Sequence, residues 1–331
     1  MKIGPKIKII IFLGLFIGAF AHPGFADIWD SPPFQLYSRA VTLFDEGKLS
    51  ECRSELKKSI AEYPQNVPAL YLLGEVELRL GHEKEALAAF LETEKHYGWT
   101  ELRSKIAYLY LNAGQLDKAQ RYYLNVIKHE PENRDGLKGL AYLLIKQGKD
   151  AQALAYLERA FQLDPKDSDI ALMLADVYER NKEPQKGDAV LGKGFHLTGD
   201  VRFRRRLALS LFNRKEYKKA SPLFEKLLSS NTTDPEIYYC LGVIQHTQGK
   251  NNEARKYLKK AVLLKSDYYE AFYNLGILSL EAKDPDGAVE YLKKCTEIRP
   301  AAKEAFQQLG LIYETYFLDM KKANFYYEQT R

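Results

Sequence analysis

Cysteine is nearly absent from this chain: Cys52, Cys240 and Cys295 are the only three in 331 residues. They are too few and too scattered for a disulfide framework, and no Cys-x-x-Cys pair is present to hold a metal or run redox chemistry. Histidine is thin as well. The six, at 82, 96, 129, 196, 246 and His22, are spread along the chain with no pair at metal-ligand spacing. No Ser-His-Asp or Cys-His arrangement can be drawn, and no titratable cluster departs from the pattern described below. The composition therefore argues against an enzyme, and no cofactor is expected.

Long apolar runs are missing too, with one exception. Ile9–Ala21 reads IIIFLGLFIGAFA behind Lys2, Lys6 and Lys8. It is shorter than the roughly 20 residues that span a bilayer. A basic start, a short apolar run and small residues after it are the features of a secretory signal peptide. Cleavage could follow Ala21 or Ala26, and Ala26 is preferred because Asp27 and Asp30 come next. Residues 1–26 are thus expected to be a signal peptide, with 27–32 a short lead-in. The chain is expected to be exported, to the periplasm first, with an extracellular or membrane-anchored fate as alternatives. Membrane association is expected only if the leader stays attached. No cysteine flanks either cleavage site, so a lipoprotein anchor is not indicated.

A strong excess of one charge is also lacking. The formal net charge is +5, but the leader holds three lysines and no acid, leaving 46 basic against 44 acidic side chains. No nucleic-acid surface is expected from that balance.

What the sequence does contain is a repeat. From Ala40 a small residue recurs at Gly74, Ala107, Ala141, Ala175, Ala208, Gly242, Gly276 and Gly310, at steps of 33 or 34. Twelve residues after each comes a second small slot: Cys52, Ala86, Ala119, Ala153, Gly187, Ala220, Ala254 and Ala288. In the ninth unit it falls one later, at Ala323. A large residue follows four positions on, as Phe90, Leu157, Leu258 and Leu292 illustrate. Offsets of three, four and seven share one helical face. Glycine marks the turn between the slots at 47, 81, 114, 148 and Gly249, and proline ends units at 64, 131, 165 and Pro300. The pattern predicts two antiparallel helices per unit, each pair stacked on the next, with small residues where backbones cross.

This arrangement resembles the tetratricopeptide repeat. Leu241-Gly242, Gly249, Ala254, Leu258 and Ala261 follow that family's pattern, as do Leu140-Ala141, Gly148, Ala153, Leu157, Ala160 and Pro165. The resemblance implies an all-α, right-handed superhelical solenoid of about nine helix-turn-helix repeats over 33–331. The units fall near 33–66, 67–99, 100–133, 134–167, 168–200, 201–234, 235–268, 269–302 and 303–331. It further implies a non-catalytic scaffold or adaptor of the cell envelope that binds a protein or peptide on the concave face lined by first helices. That bookkeeping makes Tyr37, Tyr71, Tyr108, Tyr142, Tyr239 and Tyr273 candidate partner-binding residues, with Arg202 and Arg205 in the middle. The alternative for each ring is packing between helices. The family's carboxylate clamp is not matched, since only Asn274 falls in a suitable slot.

Three departures stand out. Unit five carries Gly187, Gly192, Gly194 and Gly199, which either fill small packing slots or make a soft joint over 186–199. VRFRRRLALSLF brings Arg202, Arg204, Arg205 and Arg206 to a helix start, against the helix dipole. An acidic partner, acidic neighbours such as Asp169 and Asp176, or solvation would each answer it. Unit nine is rich in aromatics over 313–331, which either turn inward or form a homo-oligomer contact, the second reading of the function. Asn231-Thr232-Thr233 is a glycosylation sequon. N-terminal sequencing of protein recovered from its native cells is expected to start at Asp27, and a start in the first few residues would show that the leader is retained.

Overall fold

The computed structural model describes residues 31–229 and 233–330. Residues 1–26, expected to be a signal peptide, and the sequon's Asn231 lie outside the described residues. Among the described residues there are 18 α-helices and no strand. No described helix is long and apolar enough to cross a membrane.

The chain forms two compact units, residues 1–164 and 165–331. The first holds α1 (Pro32–Asp45), α2 (Leu49–Glu62), α3 (Val67–Arg79), α4 (Glu83–His96), α5 (Thr100–Asn112), α6 (Leu116–His129), α7 (Arg134–Lys146) and α8 (Asp150–Leu163). The second holds α9 (Ser168–Arg180), α10 (Pro184–Thr198), α11 (Val201–Asn213), α12 (Tyr217–Leu228), α13 (Pro235–Thr247), α14 (Asn251–Leu264), α15 (Tyr269–Glu281), α16 (Pro285–Ile298), α17 (Lys303–Thr315) and α18 (Met320–Glu328). Odd and even helices pair as hairpins, and within each unit the second helix of one hairpin packs on the first of the next. This is a solenoid of helical hairpins, as the 34-residue spacing predicts.

The small slots explain the pairing. The large residue of the second helix lies over the small residue of the first. A Cβ added to Gly74 would sit 2.4 Å from the Phe90 ring, and at Gly242 2.7 Å from Leu258 Cγ. At Gly276 it would meet Leu292 Cγ at 2.9 Å, and at Gly310 the Tyr327 ring at 2.4 Å. Where the slot holds alanine, as at Ala141, Ala153 and Ala160, it is buried beside Leu157. Backbones approach closely there and leave no room for more.

The inner turn of each hairpin is equally regular. The amide two past the left-handed residue's predecessor reaches five residues back: Lys48 N–H to Leu43, Lys149 to Leu144, Lys250 to Gln245, Asp284 to Ser279. This Schellman pattern needs one residue with positive φ. Glycine supplies it at Gly47, Gly81, Gly114, Gly148 and Gly249. Lys182, Lys215, Lys283 and Leu318 supply it in the other second-unit hairpins with an inner turn. Only in the ninth hairpin does the bond reach six back, from Asp319 N–H to Tyr313. One extra residue in that turn is why Ala323 falls one position late.

Outer turns are closed by side-chain caps. Asn66 and Asn133 accept from Ala69 and Gly136 amides, and Asp167, Asp200 and Asp234 do the same for α9, α11 and α13. Gly187, Gly192 and Gly194 sit in a continuous α10, and Gly199 caps its end with φ 69°. Gly187 lies against Ala175 backbone, where a Cβ would meet the carbonyl at 3.0 Å, and Gly194 lies under Phe203, with a Cβ 2.8 Å from the ring. Both occupy packing slots. Gly192 faces open space.

Gly242→Ala is expected to destabilise by about 1–3 kcal/mol through overpacking. Gly192→Ala is expected to stabilise by about 0.5–1 kcal/mol, because helix propensity rises with no clash. Urea midpoints for the two variants check this pair, and a loss of stability in both would contradict the slot argument.

Candidate functional site

The first helices carry the residues that the repeat frame singles out, and the structure sorts them into packed and presented groups. Tyr37 belongs to the core. It is 5% exposed among Ala40, Phe44 and Leu56, and burial pushes its hydroxyl up to about 12. Tyr71 is half-buried between Phe90 (5.7 Å) and Trp99 (5.1 Å), with its hydroxyl also raised by burial. Tyr239 packs against Phe212 and Tyr268, and burial lifts it to about 12. Tyr273 stacks on Tyr269 at 6.1 Å. For these four rings the packing alternative describes most of the side chain.

Tyr108 and Tyr142 differ. They are 52% and 40% exposed, on α5 and α7, first helices of successive hairpins that touch each other. Each directly follows its small slot, Ala107 or Ala141. The Lys146 ammonium lies 5.4 Å over the Tyr142 ring. Glu75 holds the equivalent position on α3 and pairs with Lys105 at 2.9 Å. The face of the first unit thus offers two exposed rings, one of them with a cation over it.

The same position was not singled out in the second unit, though the frame contains it. Leu209, Val243, Ile277 and Leu311 each follow the small slot of α11, α13, α15 and α17. The first three are half-buried and Leu311 is exposed. One residue past Ala208, Gly242, Gly276 and Gly310 was a legible offset. It yields an aliphatic row beside Tyr239 and Tyr273.

The arginine cluster finds acidic neighbours inside the chain. Arg202 pairs with Asp200 at 2.8 Å and reaches Asp169 at 3.5 Å. Arg205 pairs with Asp234 at 2.8 Å and with Glu236. Arg206 holds Asp176 at 2.6 Å and Glu179, while Arg204 lies 4.4 Å over the Phe195 ring. Asp200 also caps α11 and accepts from the Ser168 hydroxyl. These bonds stitch neighbouring hairpins of the second unit, so an acidic partner is not needed to balance the cluster.

Unit nine answers its question both ways. Tyr313 is buried and stacks on Tyr326 at 5.4 Å, and the Tyr327 hydroxyl donates to Glu314 at 2.6 Å. Tyr316, Phe317 and Phe325 are exposed. The three cysteines are buried, and burial raises Cys52 to about 11 and Cys295 to about 12. Among the described residues no group of three His, Cys, Asp or Glu side chains could hold a metal ion.

Comparisons with known proteins agree with this geometry. Tetratricopeptide repeat profiles match residues 37–96, 104–168 and 241–303, with further matches at 144–196 and 223–256. The human protein O-mannosyl-transferase TMTC3 is 29% identical over 48% of this chain and 18% of its own length. Human DnaJ homolog subfamily C member 3 is 22% identical over 61% of this chain and 41% of its own. The chain therefore spans well under half of either relative. A tetratricopeptide repeat protein from Parabacteroides merdae superposes with TM-score 0.54 at 19% identity, covering 76% of this chain and 98% of that one. PilW, a type IV pilus biogenesis factor, gives 0.51 at 21% identity over 59% and 91%.

Acid stability tests the stitching. The Arg202 hydrogen bonds hold Asp200 down to about 2, below its ordinary 3.8. A depressed carboxylate contributes fully above its unfolded value and loses that contribution as pH falls to the folded value. Asp200→Asn is expected to flatten the fall in stability between pH 3.8 and about 2, and Arg202→Gln to do the same. An unchanged acid profile in both would show that the pair is not formed.

Proposed function

Because the chain belongs to the tetratricopeptide repeat family, we propose that it is a non-catalytic scaffold or adaptor that binds a protein or peptide on the faces of its first helices. The reading rests on one observation above all: in seven of the nine hairpins the position after the small slot holds an exposed or half-exposed apolar side chain, Glu75 and Asp176 being the exceptions. In the first unit it holds Tyr108 and Tyr142, and in the second Leu209, Val243, Ile277 and Leu311. A folded solenoid does not need aromatic area on that face, whereas a peptide does. Tyrosine offers a rigid apolar body and a hydrogen-bonding tip at low entropic cost. The solved tetratricopeptide relatives support the fold of such a module. The specific partner follows from none of them.

We also place the protein outside the cytoplasm. Lys2, Lys6 and Lys8 ahead of the 13-residue apolar run Ile9–Ala21 support export, and a bacterial-type periplasm is the setting in which the adaptor would work.

A photo-reactive amino acid at Tyr108 or Tyr142, introduced in native cells, is expected to cross-link a second protein. The same group at Lys259, on the second helix α14, is expected to give none. The pair Tyr108→Ser and Tyr142→Ser should keep the urea midpoint and abolish the product. Equal cross-linking from position 259 would defeat the first-helix reading.

A further inference from the structure

The inner turns of the second unit break a rule that the first unit keeps. All four hairpins of the first unit put glycine at the left-handed position, at φ between 71° and 81°. In the second unit that position is Lys182 (62°), Lys215 (60°), Gly249 (75°), Lys283 (59°) and Leu318 (53°). A side chain there is sterically strained, and glycine would remove the strain at no cost in contacts. All three lysines are exposed, as is Lys250 beside Gly249. Hairpins stacked in one register bring their inner turns out on one edge of the unit, so these cations form a row.

The ninth turn ends that row differently. It carries the extra residue noted above, and it reads Tyr316-Phe317-Leu318 where the others are polar. Leu318 is 80% exposed, with Tyr316, Phe317 and Met320 exposed around it. A leucine held left-handed and in water is unfavourable twice over. Of the acids near these turns, Glu253 and Asp286 are exposed, Glu281 accepts from His246 and Asn251 of the preceding hairpin, and the others are held locally. Glu183 pairs with Lys186, and Glu216 pairs with Arg214 and Lys219. Asp284 caps α16, and Asp319 caps α18 and pairs with Lys322.

The geometry points to this edge as a docking surface for an anionic lipid bilayer. Lysines would face the head groups while the ninth turn enters the interface. A bilayer uses both halves of the edge: tyrosine and phenylalanine favour the interfacial zone, leucine lies below it, and lysines are drawn to anionic lipid. An acidic protein would engage the lysines and leave the apolar turn in water. A second copy meeting edge to edge would bring two lysine rows together.

The test uses the full chain with tryptophan placed at the tip, Leu318→Trp, and wild type as the background for Trp29 and Trp99. A probe at 318 reports this edge and not the leader. With vesicles of phosphatidylcholine and phosphatidylglycerol containing brominated acyl chains, its emission is expected to shift to the blue and be quenched. In phosphatidylcholine alone the response should be much weaker. Lys182→Gln, Lys215→Gln, Lys250→Gln and Lys283→Gln together should weaken the anionic response at least roughly ten-fold. With the tryptophan moved one place, Phe317→Trp, adding Leu318→Gly should hold or raise the urea midpoint yet lower binding by roughly five-fold, separating lipid contact from folding. Emission unchanged by vesicles of either composition overturns the proposal. So does a blue shift that needs no vesicles and grows with protein concentration, which would identify a second copy as the occupant.

Discussion

Close crossing of two helices at a small residue is the constraint from which the rest of this structure follows. At Gly242 the leucine of the partner helix is already so near that a single added carbon would stand 2.7 Å from Leu258 Cγ. Such a crossing fixes where along each helix the pair must meet. The second small slot then has to fall twelve residues later, and the next hairpin must restart in step. A repeat of 33 or 34 residues is the sequence consequence of that packing. The large residue that covers the slot, whether Phe90, Leu258 or Tyr327, is buried by the same geometry and supplies the apolar area that holds the hairpin. Each repeat can do this only against a neighbour, so the core is a series of contacts between adjacent helices and not one central mass.

Everything not used in the crossing is free to vary, and the variation is where the chain becomes particular. The residue after the small slot points away from the crossing. It is Val41, Glu75, Tyr108 and Tyr142 in the first unit, and Asp176 followed by four aliphatic side chains in the second. The inner turn has only a backbone requirement, a positive φ, and the first unit meets it with glycine. The second unit meets it with lysine and leucine, accepting strain that a fold alone would not select. The middle of the first helix and the inner turn thus vary independently on one frame.

Charge plays a stitching part. Four arginines at the start of α11 oppose the helix dipole, and their partners lie on the helices before and after: Asp169, Asp176 and Glu179 on α9, Asp200 at the α11 cap, Asp234 and Glu236 at the start of α13. Exposed pairs of this kind are individually weak, on the order of 0–1 kcal/mol. Their geometry is mutually consistent, and it adds to the apolar packing of three successive first helices of the second unit.

By itself the sequence determined the repeat length, the helical hairpins and the all-helical solenoid, because each is a local or periodic requirement written at fixed offsets. Leu157 between Ala153 and Ala160 already says which face is gripped. Which tyrosines are presented was also legible in the register: Tyr37 stands three before its small slot and is 5% exposed, whereas Tyr108 stands one after its slot and is 52% exposed. The arginine partners were a tertiary matter, as Arg205 and Glu236 lie on different hairpins. The extra residue of the ninth turn showed in the sequence as a one-place slip at Ala323. That it lifts Leu318 into solvent in a left-handed conformation depends on how the hairpin closes, which side-chain patterns do not record.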